Sequence, residues 1–200
     1  MITIIDYGMG NLRSVQKAFE HLGFPTLVTR DKKKIAKASK IVLPGVGAFK
    51  DCMHHLEEMD LVDSILGSIR SGKPFLGICL GMQVLFTESE EFGKHKGLNV
   101  IPGKVVRFPE SALKVPHIGW NQIQKKKEVS FLKKVPNKSF VYFVHSYYVI
   151  PKDKKVITTT TEYGLSFTSS IQKDNIFATQ FHPEKSQTIG LEILKAFANA

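Results

Sequence analysis

Two short groups in this chain have residue types and spacing suited to nucleophilic catalysis. The first is Gly77-Ile78-Cys79-Leu80-Gly81. Glycines two residues either side of a nucleophile mark the sharp strand-to-helix elbow that lifts a reactive side chain above a sheet edge. The nucleophile in such a turn holds strained dihedrals, so its neighbours must be small. The start of the next helix lies beneath the sulfur, where N–H groups and the helix dipole favour a thiolate. The N–H of Leu80 is placed to serve an oxyanion. Taken alone, the pentapeptide also fits a buried cysteine packed between glycines.

The second group is His182-Pro183-Glu184. A thiol of ordinary pKa is mostly protonated at neutral pH and needs a base. His182 follows the strand-like segment 176–180, and Pro183 stiffens the exit from it. Glu184, at the expected start of the last helix, can accept the second imidazole N–H and fix the tautomer. By itself this tripeptide reads better as a helix start, with proline in the first turn and glutamate favourable to the dipole. Together with a cysteine elbow at another strand end, it reads as chemistry: Cys79 nucleophile, His182 base, Glu184 orienter.

The remaining candidates are weaker. The loop Gly45-Val46-Gly47 follows a strand, and its glycines let backbone N–H groups turn toward an anion; a plain turn is the alternative. Gly8 and Gly10 suggest a dinucleotide loop, but position 13 is Arg13 where the third glycine belongs, which rejects a nicotinamide cofactor. Cys52 has no comparable setting and reads as packing. His54 and His55 are adjacent and point to different sides of a helix; His21 and His95 read as surface residues. With no His-Glu-x-x-His or Cys-x-x-Cys spacing, no metal and no cofactor are expected.

The elements that must position these groups follow from periodicity. In the first half, apolar strands at 2–6, 26–29, 40–43 and 74–78 alternate with helices. The first helix carries Leu12, Val15, Phe19 and Leu22 on one face; a further helical region, with room for a break within it, covers 49–70, and the segment 81–87 reads as helix. Alternating strands and helices imply a mainly parallel sheet covered on both faces. In the second half, strand-like segments at 100–108, 117–124, 140–149, 156–161, 165–171 and 176–180 suggest antiparallel pairing. A last helix has Ile189, Ile193, Leu194 and Phe197 on one face.

Bulk properties set the frame. The 200 residues, 42% apolar, fit one domain over 1–200. Two cysteines rule out a disulfide framework and point to a reducing cytosol. No signal peptide and no membrane-length apolar run is visible, so a soluble chain without a membrane partner is expected. The net charge of +10 sits in lysine clusters at 32–34, 125–127, 133–134 and 152–155. These read first as solvated surface, then as attraction for an acidic protein or a phosphorylated metabolite. Nothing resembling a nucleic-acid-binding motif accompanies them.

Taken together, the motifs resemble the class I glutamine amidotransferases, and within them the glutaminase subunits of imidazole glycerol phosphate synthases. The resemblance covers nearly the whole chain: Ile4-Ile5-Asp6-Tyr7-Gly8-Met9-Gly10-Asn11-Leu12, Pro44-Gly45-Val46-Gly47-Ala48-Phe49, Gly77-Ile78-Cys79-Leu80-Gly81-Met82-Gln83, Pro116-His117-Ile118-Gly119-Trp120-Asn121, Val144-His145-Ser146-Tyr147-Tyr148 and Gln180-Phe181-His182-Pro183-Glu184-Lys185-Ser186. It implies a flavodoxin-like α/β core and a Cys79–His182–Glu184 triad. It implies an oxyanion hole from Gly45, Val46, Gly47 and Leu80, and glutamine bound by Gln83, Glu91, Ser146 and Tyr147. It also implies a heterodimer with a (β/α) barrel cyclase, faced by Asn11, Trp120, Tyr142 and Lys185, which takes ammonia in histidine biosynthesis. The competing readings are a glutaminase subunit serving another synthase, a different cysteine hydrolase such as a peptidase, and a non-catalytic module on the same fold.

Overall fold

The computed structural model describes residues 1–110 and 113–200. The parallel part of the large sheet has five strands, four of them from the first half: β1 (Ile2–Ile5), β2 (Thr26–Thr29), β3 (Lys40–Gly45) and β4 (Phe75–Cys79). They lie in the order β2-β1-β3-β4, all parallel. Their connections are α1 (Leu12–His21), α2 (Lys32–Lys37), α3 (Phe49–Glu58) and α4 (Val62–Arg70). The expected helical region at 49–70 is two helices, broken where Asp60 takes a positive φ of 51°.

The segment expected as a helix over 81–87 is corrected. Helix α5 is only Leu80–Gln83, and Phe86–Ser89 is strand β5. The carbonyls of Val84, Leu85 and Phe86 accept N–H groups from residues 98–101 instead of continuing a helical ladder. The apolar run Met82, Val84, Leu85 and Phe86 is buried throughout, so it carries no single-faced helical signal.

The second half supplies β6 (His95–Lys96), β7 (Ile101–Arg107), β8 (His117–Gln122), β9 (Gln124–Lys125), β10 (Phe140–His145), β11 (Tyr147–Pro151), β12 (Ile157–Glu162), β13 (Ser166–Lys173) and β14 (Ile176–Thr179), then α6 (Gln187–Ala198). Strand β14 inserts beside β4, parallel to it, and completes the five-strand parallel block. Beyond it β13, β11 and β7 continue the sheet antiparallel, while β7 and β5 pair parallel. The segment 140–149, expected as one strand, breaks at Ser146: β10 pairs with β8 in a separate two-stranded ribbon, and β11 joins the main sheet. Glu184 lies not in the last helix but in a 3₁₀ turn, Pro183–Lys185, before it.

Two apolar clusters cover the two sheet faces. One packs Ile5, Leu43, Phe49, Leu56 and Ile65. The other packs Ile4, Phe19, Phe131, Phe177, Leu194 and Phe197, with Phe131 stacked on Phe177 at 4.6 Å. Among the described residues no helix is long and apolar enough to cross a membrane. The parallel strands end together: Gly45 is in register with Cys79, and Ile78 with Thr179. A crevice at the carboxyl ends of parallel strands is where open α/β sheets bind ligands.

Candidate active site

Cys79 ends β4 with φ 55° and ψ −108°, a left-handed conformation that L residues rarely adopt. The flanking glycines are steric requirements. A Cβ on Gly77 would lie 2.7 Å from the Gly81 carbonyl oxygen, and one on Gly81 only 1.8 Å from that of Leu43. The elbow is therefore built as expected. The helix beneath the sulfur is a single turn of four residues, so a large helix dipole is not available to hold a thiolate.

His182 follows β14 and is buried, as is the side chain of Glu184. Its Nδ1 lies 2.8 Å from Glu184 Oε1. A buried carboxylate there fixes the proton on Nδ1 and leaves Nε2 as the basic nitrogen. Nε2 makes no hydrogen bond of good geometry with any described residue. Burial alone would lower the pKa of this imidazole, but the neighbouring Cys79 sulfur and the Glu184 carboxylate carry it up, to about 10. The His182 imidazole thus sits between the Cys79 sulfur and the Glu184 carboxylate and holds its proton more firmly than a free imidazole.

A cleft of about 430 Å³ opens over Cys79 and is lined in part by Val46, Gly47, Leu80, Gln83, Glu91, Ser146, Tyr147 and Lys185. Gly45 lies just below it at the end of β3; a Cβ there would meet Tyr7 Oη at 2.6 Å. Gly47 has φ 97°. Gln83 Nε2 donates to the Tyr147 carbonyl at 2.9 Å. Glu91 Oε2 accepts the N–H of Phe49 at 2.7 Å, capping α3, whose own N-cap Ala48 offers no side-chain acceptor. Burial raises the Glu91 pKa, opposed by that bond.

The four residues expected to face a partner divide. Trp120 and Tyr142 are cross-strand neighbours on the β8–β10 ribbon, with rings 6.0 Å apart, and Lys185 Nζ lies 5.7 Å from the Tyr142 ring. Ile118, Trp120 and Phe140 on this ribbon are 59%, 46% and 54% exposed. Asn11 instead caps α1, its Oδ1 accepting from Ser14 N at 3.4 Å. Four further residues at the site were given no role in the sequence reading: Pro116, Val144 and His145 line the cleft, and Gln180 Nε2 lies 3.6 Å from Cys79 Sγ. Alternation offered a signal for Gln180, since residues 180 and 182 share a side of an extended segment.

Among the described residues no three His, Cys, Asp or Glu side chains gather as metal ligands. The family model for glutamine amidotransferase class-I matches residues 3–200. The chain is 59% identical to the imidazole glycerol phosphate synthase subunit HisH of Geobacter sulfurreducens, over 98% of this chain and 97% of the relative. It is 57% identical to the subunit of the same name from Syntrophotalea carbinolica, over the full length of both. In fold it is similar to PurLQS from Thermotoga maritima, with a TM-score of 0.77 at 16% identity, covering 99% of this chain and 97% of that one.

Proposed function

The chain belongs to the class I glutamine amidotransferases, and from that premise we propose that it is the glutaminase subunit of an imidazole glycerol phosphate synthase, acting in the cytosol as one domain over 1–200. The observation that supports the chemistry best is the buried His182, held through Nδ1 by Glu184 with its Nε2 unclaimed beside the strained Cys79.

The Cys79 thiolate attacks the side-chain amide carbon of glutamine, and the C–N bond breaks as His182 gives its proton to the departing nitrogen. Ammonia leaves and a thioester remains. Water then adds to the thioester, His182 takes its proton, and glutamate departs with the thiol restored. Backbone N–H groups of Val46, Gly47 and Leu80 stabilise the tetrahedral oxyanion; one such donor is worth roughly 3–4 kcal/mol. Glu91 meets the ammonium group of glutamine, and Gln83, Ser146 and Tyr147 orient the rest.

Ammonia in water at neutral pH is mostly ammonium, which is not a nucleophile, so it has to be handed over without release. A (β/α) barrel cyclase that docks on the exposed ribbon carrying Trp120 and Tyr142, and that also meets Lys185 and Asn11, receives it. The cyclase uses it to make imidazole glycerol phosphate and an aminoimidazole carboxamide ribotide. Gly47 allows a peptide flip at the oxyanion loop, a physical basis for a glutaminase that wakes only with its partner.

Glutamate release from glutamine tests this, measured with the chain alone and with a barrel cyclase and its ribonucleotide substrate. Turnover only in the full mixture is expected, and none with Cys79→Ala. Turnover retained by Cys79→Ala overturns the nucleophile; turnover indifferent to the cyclase moves the chain to another synthase.

A further inference from the structure

The backbone carbonyl of Tyr147 can only accept hydrogen bonds, and two side chains meet it: Gln83 Nε2 at 2.9 Å and His145 Nδ1 at 2.9 Å. That fixes the polarity of everything attached to them. Gln83 must present its amide nitrogen, and the second N–H of that nitrogen reaches Gln180 Oε1 at 3.1 Å. Gln180 is thereby turned so that its own amide nitrogen lies 3.6 Å from Cys79 Sγ.

The other branch is fixed in the same way. His145 carries its proton on Nδ1, so its Nε2 accepts from His117 Nδ1 at 3.0 Å. His117 Nε2 in turn accepts from Asn121 Nδ2 at 3.2 Å, and the same nitrogen donates to the Glu162 carbonyl at 2.9 Å. Burial lowers the two imidazoles, His117 to about 4 and His145 to about 3, so both are neutral at physiological pH and the tautomers hold. Every member of the chain of donors is thus oriented, and one end of it points at sulfur.

The sulfur has two polar contacts of opposite kind. The Val144 carbonyl at 3.9 Å can only accept, which favours the thiol; the Gln180 N–H can only donate, which favours the thiolate. The titratable groups around the sulfur are His182 with Glu184 behind it, Tyr7 just past β1, and His145, Tyr147, Glu91 and Lys185 lining the cleft. Gln180 itself is fully buried, at 0% exposure.

We propose that Gln180 is a catalytic residue whose amide N–H stabilises the Cys79 thiolate, with Gln83 and the Tyr147 carbonyl as positioning groups that keep the amide from flipping. This supplies the donor that a one-turn helix cannot. It rests on the reading of Cys79 as nucleophile, so the test measures the thiol itself. The intact chain is alkylated with iodoacetamide across a range of pH, and the modified Cys79 peptide is quantified by mass spectrometry.

Gln180→Glu keeps an acceptor for Gln83 but sets an oxygen against the sulfur. Gln180→Met removes the donor without adding charge. In both, alkylation at neutral pH falls about tenfold and its pH profile moves to higher pH. With the partner present, kcat falls while KM changes little. A purely structural role would lower the melting temperature and leave the alkylation profile in place. A folded variant of either kind that alkylates with the wild-type profile overturns the proposal. Wild-type Cys79 reacting no faster than the thiol of the denatured chain overturns the nucleophile reading as well, which separates the two failures.

Discussion

The two halves of the chain deliver their reactive groups by different means. The parallel half presents Cys79 through backbone: a left-handed residue between two glycines that no other residue could replace without a clash. The half that follows presents His182, Tyr147 and Gln180 through side-chain hydrogen bonds, to Glu184, His145 and Gln83. Backbone strain holds a position whatever the pH. Hydrogen-bonded imidazoles and carboxylates hold an orientation only in one protonation state. Cys79 is therefore placed by sterics, and the side chains around it by proton accounting.

Three measurements press on that contrast. The largest effect is expected from Glu184→Gln, which keeps the shape but lets the imidazole take the wrong tautomer. Partner-activated glutamate release should drop roughly 10³-fold, with the melting temperature little changed. An unaltered rate would show that sterics alone place the base. Next comes Gly81→Ala. A Cβ that must displace the Leu43 carbonyl should lower stability by roughly 3 kcal/mol or more in urea unfolding. A normal midpoint would mean that the elbow has freedom the structure denies.

The third measurement is the pH dependence of stability. His182 is raised from 6.5 to about 10 in the folded chain, so its contribution is complete below pH 6.5 and lost as pH rises through about 10. His117 and His145 are lowered to about 4 and about 3, so below pH 6.5 the unfolded chain takes up protons that the native one refuses, and stability falls toward those values. The melting temperature should peak near pH 6.5. In a variant with His117→Phe and His145→Phe the acid limb should flatten while the alkaline limb stays. An acid limb of unchanged slope would assign it to other groups.

The same contrast explains what could be read from the sequence. The elbow was legible because steric demand writes itself into residue type: Gly77 and Gly81 can be nothing else. His182 and Glu184 were legible because the base and its orienter are two residues apart. The His117–His145 pair was not, since it forms only when β8 and β10 align in register, and spacing along the chain says nothing of register. The helix expected over 81–87 gave way for a related reason. Long-range bonds to residues 98–101 claim the carbonyls of 84–86, and no local pattern reports a competitor so far along the chain. Asn11 was singled out through family likeness, while its visible work is local, capping α1.

The place of β14 has a consequence for how the protein comes into being. Strand β4, with Cys79 at its tip, lies between β3 and β14, but β14 is encoded about a hundred residues later. At ribosomal speeds of about 5–20 residues per second, the edge of β4 waits roughly 5–20 s for its neighbour. Over that interval the growing chain carries a cysteine without its histidine. Cys79 and His182 can meet only once β14 has been made and inserted, so a truncated product that stops before residue 176 cannot assemble the pair.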